Sequence, residues 1–424
     1  MNSIFRNTLV KPGAVLALAM AGILGGGAAH AAGTASNTLI TNTASLAYKV
    51  GGTDQNAIVS SPTGSTNGTG APTSFVVDNK VNLTVTTSDV SPGVPVIPGQ
   101  TIALATPTQV ATFVVTNTGN TVQDFALTSL FNYTGATANV LGGTVTDTFD
   151  PSACLIKIGT AVSPTYAGAT TGTFIDELAA DAARTIYVVC AIPLAQIDGD
   201  IAAISLTASV LKGGLAGTQG SAYSTAELNA TNTDAGIEIV FADTAGTDDI
   251  ARDGKSSARD AFQVKSAKLT VTKTMAPVCD PFNGNTNPKN IPGSYVSYTI
   301  TIANSGTTSA ILGIVSDGLT STLTFDPDLI QGLTAATCNA VGASPTPGVA
   351  TNASGNVKVV ARSATSYKTS GTADTDGVVL AVVLGVPTLS VDFGTVLPVV
   401  GSTYTAGELK PTEAVTVTFQ AKIN

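Results

Sequence analysis

The sequence predicts an all-β chain built from two β-sandwiches in tandem, and three observations carry that reading. Apolar residues recur in short period-two runs, such as "VATFVVTN" from Val110 and "AVTVTFQAKI" from Ala414, while helical periodicity is nearly absent. The chain has 43 glycines, 20 prolines, no tryptophan and only 11% charged residues, a composition suited to short strands joined by tight turns. It also repeats itself at long period: "VNLTV" at Val81 returns as "AKLTV" at Ala267, "IPGQ" at Ile97 as "IPGS" at Ile291, and "TFDP" at Thr148 again at Thr324. Between these lies a strand closing on Asn-x-Gly in each copy, Asn117 to Gly119 and Asn304 to Gly306.

Residues 1–31 read as a signal peptide. Arg6 and Lys11 precede the apolar run "AVLALAMAGILGGGAA", and Ala29 to Ala31 form a small-x-small cleavage site, so the mature chain is expected to start at Ala32 and to be exported. The longest other apolar stretch, "GVVLAVVLGV" from Gly377, covers about half a membrane span, and no transmembrane segment is expected in the mature chain. Removing the leader takes two of the 19 basic residues and none of the 28 acidic ones, leaving 17 − 28 = −11. A chain so acidic is not expected to bind nucleic acid.

Residues 32–50 contain the first strand, "ITNTASLAYKV", with Ile40, Ala44, Leu46, Tyr48 and Val50 on one face. Residues 51–78 read as a Gly/Ser/Thr/Pro linker that can hold a short strand at Ala57 to Ser60. The first sandwich is placed at 79–228, an acidic linker at 229–263, and the second sandwich at 264–424. The two copies end differently. In the first, "TIYVVCAIP" from Thr185 turns and returns as "ISLTASVLK" from Ile204. In the second, the strand carrying Val415, Val417, Phe419, Ala421 and Ile423 has no returning partner, and the missing piece is found at the N-terminus: Ile40, Ala44 and Leu46 match Ile204, Ala208 and Val210 at a constant offset of 164. Ile40 to Val50 is therefore expected to act as a donor strand, with Val415 to Ile423 as its acceptor.

Four cysteines in an exported chain predict disulfides. Cys154–Cys190 and Cys279–Cys338 keep each bridge within one domain. The sole histidine, His30, leaves with the leader, which removes Ser-His-Asp and Cys-His catalysis and histidine-ligated zinc; the protein is not expected to be an enzyme. Asp150 and Asp326, each before a proline, read as turn starters rather than a catalytic pair. Asp243, Asp248, Asp249 and Asp253 are a candidate set for Ca²⁺, set against a solvated loop with aspartates in turns; no other cofactor is implied.

"KLTVTK", "NPKNIPGSYVSYTITIANSG" and the returning "ITNTAS" strand resemble the bacterial conserved-repeat surface domain, catalogued as domain of unknown function family eleven. The resemblance is clear over 266–424 and fainter over 79–212. It implies immunoglobulin-like sandwiches in an exported surface protein, with no catalytic residues to carry over. In that family the "ITNTAS" strand follows the "VTF" strand, as it does here only in the first copy. Three functions compete: a surface filament subunit that homopolymerises by donating its first strand to a neighbour's second sandwich, a monomeric adhesin or stalk with that strand folded back in its own chain, and an extracellular hydrolase using two carboxylates, which the absence of tryptophan and the few Phe and Tyr disfavour.

Overall fold

The computed structural model describes residues 33–66, 70–161, 164–327, 329, 355–371 and 375–424; the expected signal peptide lies outside them. The first described feature is a long two-stranded antiparallel ribbon. Its outgoing arm comprises β1 (Leu39–Asn42), β2 (Ser45–Leu46) and β3 (Lys49–Val50), and its return arm β4 (Thr53–Asp54), β5 (Ile58–Val59) and β6 (Thr73–Val76). Strand β3 pairs with β4, β2 with β5 and β1 with β6, placing Ile40 opposite Phe75 and Leu46 opposite Ile58. Gly51 and Gly52, at φ 59° and 85°, make the two-residue turn, in which both central positions are left-handed and glycine carries no steric penalty. Residues 51–78 are thus mainly a return arm, not the expected linker. The arm is polar and interrupted, so its period-two signal is faint; the Gly-Gly pair was the legible sign of a hairpin.

The first sandwich follows: β7 (Asn79–Val81), β8 (Leu83–Thr87), β9 (Val94–Val96), β10 (Ala111–Asn117), β11 (Gln123–Leu130), β12 (Gly135–Val140), β13 (Gly143–Asp147), β14 (Ala153–Ile158), β15 (Thr170–Thr171), β16 (Phe174–Leu178), β17 (Ala183–Ala191), β18 (Ile201–Lys212), β19 (Ile239–Phe241) and β20 (Lys255–Val264). One sheet runs β15-β14-β17-β10-β8. The facing sheet runs β13-β12-β20-β18-β11-β16, with β9 added beside β20. Phe113 and Ile186 from the first sheet meet Phe125, Ile204 and Phe262 from the second in a sealed core.

Strand β20 corrects the domain boundary. The first sandwich extends to Val264, and much of the stretch expected to be an acidic linker is structured: β19 pairs with β7, and β20 pairs with β18 over nine residues. The strand was hidden because an inward position of its alternation is a carboxylate, Asp260, which is fully buried between Ala258 and Phe262.

The second sandwich comprises β21 (Leu269–Cys279), β22 (Tyr295–Asn304), β23 (Ala310–Ile311), β24 (Ile314–Gly318), β25 (Leu323–Phe325), β26 (Val357–Ala361), β27 (Ala364–Lys368), β28 (Val378–Val383), β29 (Val386–Asp392), β30 (Glu408–Leu409) and β31 (Ala414–Ile423). One sheet runs β21-β22-β31-β26-β27, with β25 also pairing with β31. Facing it are β24-β29-β28 and the short pair β23-β30. Ile300, Ile302, Val359, Leu389, Val391, Phe393 and Phe419 are among its core residues.

Candidate assembly interface

The two sandwiches share a register that makes them comparable residue by residue. In the first, β8 pairs with β10 so that Leu83 faces Asn117, and Val85 faces Val115. In the second, β21 pairs with β22 so that Leu269 faces Asn304, and Val271 faces Ile302. Directly opposed residues of an antiparallel pair share a face, so Leu269 and Val271 look toward the core as Leu83 and Val85 do. Their surroundings differ sharply. Leu83 and Val85 are 1% and 6% exposed, whereas Leu269 and Val271 are 43% and 63% exposed.

The cause lies in the facing sheet. In the first sandwich β20 lies across β8: the Ser256 hydroxyl accepts the Val85 amide at 3.0 Å, and the Thr87 hydroxyl donates to Asp260 at 2.6 Å. Beside it, β18 pairs with β11 over eight residues. Strands β23 and β24 of the second sandwich follow β22 as β11 follows β10, and Ala310 pairs with Leu409 as Gln123 pairs with Leu178. Yet β24 bonds to β29 alone, and among the described residues no strand lies along its other edge or over β21. Among the described residues no strand there matches β18 or β20. The gap is spanned by one ion pair: the Lys273 ammonium, on the core-side face of β21, reaches the Asp317 carboxylate of β24 at 2.6–2.8 Å.

This geometry corrects the expected acceptor. Val415, Val417, Phe419 and Ala421 are buried in the core, Ile423 partly so, and β31 pairs with β22 on one side and with β26 and β25 on the other. It has no free edge. The returning strand of a sandwich crosses to the opposite sheet, as β18 does after β17, so the open edge belongs to β24 and the open face to β21. Sequence reading missed Leu269, Val271, Lys273 and Asp317 because burial in the first copy could not be seen, although "LTV" in both copies was the available signal.

The expected donor residues are all on the ribbon's outgoing arm. Ala44, Leu46 and Val50 are exposed, Ile40 and Tyr48 partly so, and none sits in the second sandwich of the same chain. Leu46 is 59% exposed, and Phe75 on the return arm 51%. At its base the ribbon is tied to the first sandwich: the Ser36 amide donates to the Asn120 carbonyl at 3.1 Å, and the Val76 amide to that of Asp234 at 3.0 Å.

The Cys154–Cys190 disulfide is present and staples β14 to β17. Cys279 is buried; Cys338, its expected partner, lies outside the described residues. The four candidate calcium aspartates are engaged locally. Asp243 accepts the Asp253 and Gly254 amides, Asp249 accepts the Gly246 amide, Asp253 accepts the Lys255 amide, and Asp248 binds Arg259 and the Tyr133 hydroxyl. Burial opposes charge at Asp248, but the hydrogen bonds from Arg259 and Tyr133 hold its carboxyl below the usual range. Among the described residues the carboxylates that converge are instead Asp124, Asp176 and Glu177, each accepting backbone amides of the 214–220 loop. Asp150 is exposed on the first sandwich and Asp326 buried in the second, so they form no pair.

A cavity of about 580 Å³ in the second sandwich is lined by Val359, Arg362, Leu397, Tyr404 and Glu413. Its guanidinium is already occupied, stacking 3.8 Å from the Tyr404 ring centre and donating to the Pro398 and Glu408 carbonyls. Among the described residues no helix is long and apolar enough to cross a membrane.

The class these features define is a tandem β-sandwich protein. No family model matches the chain, and no curated protein matches it in sequence. Solved structures similar in part include the full-length RrgB pilus protein of Streptococcus pneumoniae, with 13% identity and a TM-score of 0.20 over 82% of this chain. The chain spans 45% of that protein's length. The CFA/I adhesin CfaE of enterotoxigenic E. coli is similar at 9% identity and a TM-score of 0.17, over 92% of this chain and 82% of the adhesin.

Proposed function

We propose that the protein is an exported structural subunit of a bacterial surface filament, in which each copy donates its N-terminal segment to the second sandwich of the next. The observation that carries this reading is the exposure of Leu269 and Val271 on the core-side face of β21, beside a β24 edge with no partner among the described residues. An apolar face and an unpaired backbone edge left in water are costly and prone to capture a strand. The first copy supports the choice of occupant, since the matching position is filled by β18, whose sequence the outgoing arm repeats. A head-to-tail link of this kind does not close on itself, so it builds fibres.

The alternative is a monomeric stalk or adhesin whose own ribbon folds back. Connectivity disfavours it. The ribbon is tied near Asn120, at the end of the first sandwich where β10 closes and β8 begins. The second sandwich leaves after Val264, at the other end, where the Asp198 carboxylate accepts the Ser266 amide at 2.8 Å. Electron microscopy and light scattering of the purified mature chain decide between them. Concentration-dependent fibres are expected, lost when residues 33–76 are deleted. Wild-type chain that stays monomeric at high concentration, or fibres from the deletion variant, would overturn the reading.

A further inference from the structure

Resting on that filament reading, we infer that the donated element is the whole two-stranded ribbon, residues 39–76, and not the outgoing strand alone. The slot in the second sandwich is two strands wide, because the first sandwich fills it with an antiparallel pair, β18 and β20. The ribbon is an antiparallel pair of the same kind. Its outgoing arm repeats β18, and its return arm occupies the chain position of β20: Phe75 stands eight residues before Leu83, and Phe262 seven before Leu269. Phe262 is fully buried; Phe75, in the free ribbon, is half exposed.

The order of parts along the chain points the same way. The β18–β20 pair precedes the second sandwich in sequence but completes the first, the sandwich behind it. By the same rule the ribbon, which precedes the first sandwich, completes the one behind that, the second sandwich of the preceding copy. The occupant is therefore a second copy of this chain. The junctions also correspond. Lys80 and Asn82, which follow the ribbon, accept the Asn120 and Thr118 amides of the turn after Asn117; Ser266 and Lys268, which follow β20, accept the Thr307 and Ser305 amides of the turn after Asn304.

Register follows from the first sandwich. The outgoing arm takes the place of β18 along β24, with Ala44 near Val315 as Ala208 is paired with Leu127. Val315 faces inward, opposite the buried Val391 and one residue out of step with the buried Leu312. The return arm takes the place of β20 over β21: Phe75 is opposite Ile40 as Asp260 is opposite Ile204, so Phe75 faces the core beside Lys273, as Asp260 is bonded to Thr87. Lys273 and Asp317 then part to admit it.

Cysteine cross-linking in the full chain tests this. Copies carrying Phe75→Cys are mixed with copies carrying Lys273→Cys under mild oxidation, and in parallel Ala44→Cys with Val315→Cys. Both mixtures are expected to give cross-linked dimers in trans, each at least tenfold above either variant alone. Where both mixtures assemble, the Ala44–Val315 link without the Phe75–Lys273 link overturns ribbon donation and leaves single-strand donation standing. Absence of assembly in the wild type overturns both. As a control that does not depend on cysteines, Phe75→Asp is expected to weaken assembly at least tenfold, whereas Ser74→Asp, on the opposite face, changes it less than threefold; equal effects would sink the inference.

Discussion

Asn117 and Asn304 make the same hydrogen bonds at the same place in the two sandwiches. The Asn117 side-chain amide donates at 2.9 Å to the Thr121 and Leu178 carbonyls, and its oxygen accepts the Gly119 amide at 3.0 Å. Asn304 donates to Thr308 and Leu409 at 2.8 and 3.1 Å and accepts from Gly306 at 3.0 Å. Each buried asparagine thus folds its own turn and reaches across to the facing sheet. The glycine two residues on is required, since a Cβ at Gly119 would lie 2.5 Å from the Lys80 carbonyl oxygen and one at Gly306 2.3 Å from the Lys268 amide nitrogen.

Replacing either asparagine by alanine removes the partner of at least three backbone groups, two of them in buried hydrogen bonds. A loss of about 2–4 kcal/mol is expected for the sandwich concerned, since each unsatisfied buried group costs roughly 1–3 kcal/mol before relaxation. Denaturant unfolding of Asn117→Ala and Asn304→Ala checks it. A change below about 0.5 kcal/mol in both would show that water replaces the side chain freely.

The Asn-x-Gly motif was legible in the sequence, as were both sandwiches, the Cys154–Cys190 bridge and the relation between Ile40 and Ile204. The site itself was only half legible. Alternation along Val415 to Ile423 marks a strand with a buried face but says nothing of whether its edges are free, which depends on pairing with β22 and β26. Equally, β20 carries Arg259 and Asp260 side by side, so its inward face was masked by a carboxylate whose partner, Thr87, lies 173 residues away. Nonlocal pairing of this sort leaves no period in the sequence.

Asp260 should make the first sandwich more stable in mild acid. Burial, with the Asp89 carboxylate nearby, pushes its carboxyl up to about 7 from an ordinary 3.8, against the opposing hydrogen bond from Thr87. The folded state therefore holds a proton that the unfolded chain releases. The stabilisation is fully present below about pH 4 and lost as pH rises through 7. Its size is on the order of 2–4 kcal/mol. Thermal melts from pH 4.5 to 8 should fall in the wild type and flatten in Asp260→Asn; a melt that rises with pH over that window would refute the assignment.

Removing the disulfide should cost the first sandwich about 3–4 kcal/mol in the chain-entropy model, because the bridge closes a loop of 36 residues. Cys154→Ser with Cys190→Ser, unfolded alongside the wild type, measures this. A much smaller loss would mean that the β14–β17 pairing survives in the unfolded chain.

The Lys273–Asp317 pair should act as a weak latch on the open slot. Lys273 is partly solvent-exposed, so the pair contributes at most about 1 kcal/mol after screening. If the ribbon must part it to dock, Asp317→Asn should speed assembly by up to roughly fivefold, the factor that about 1 kcal/mol allows. Raising the salt should speed the wild type but not the variant. Light-scattering rates decide the matter, and an unchanged or slower rate in Asp317→Asn would show that the pair is not in the ribbon's path.

Moving the ribbon should convert the polymer into a stable monomer. A variant that lacks residues 33–76 at its N-terminus but carries them after Asn424, through a short Gly/Ser linker, supplies the second sandwich with the pair that β18 and β20 supply to the first. Leu269 and Val271 would then be covered, and fully burying a side chain of that size is worth about 1.5–3 kcal/mol. Two such residues together with Phe75 and Leu46 should more than offset the ordering of the linker. Light scattering should report a monomer at every concentration, with the second sandwich melting above that of the ribbon-deleted chain. Fibres from this variant, or a melting temperature no higher than that of the deletion, would mean that the slot in the second sandwich is not where the ribbon belongs.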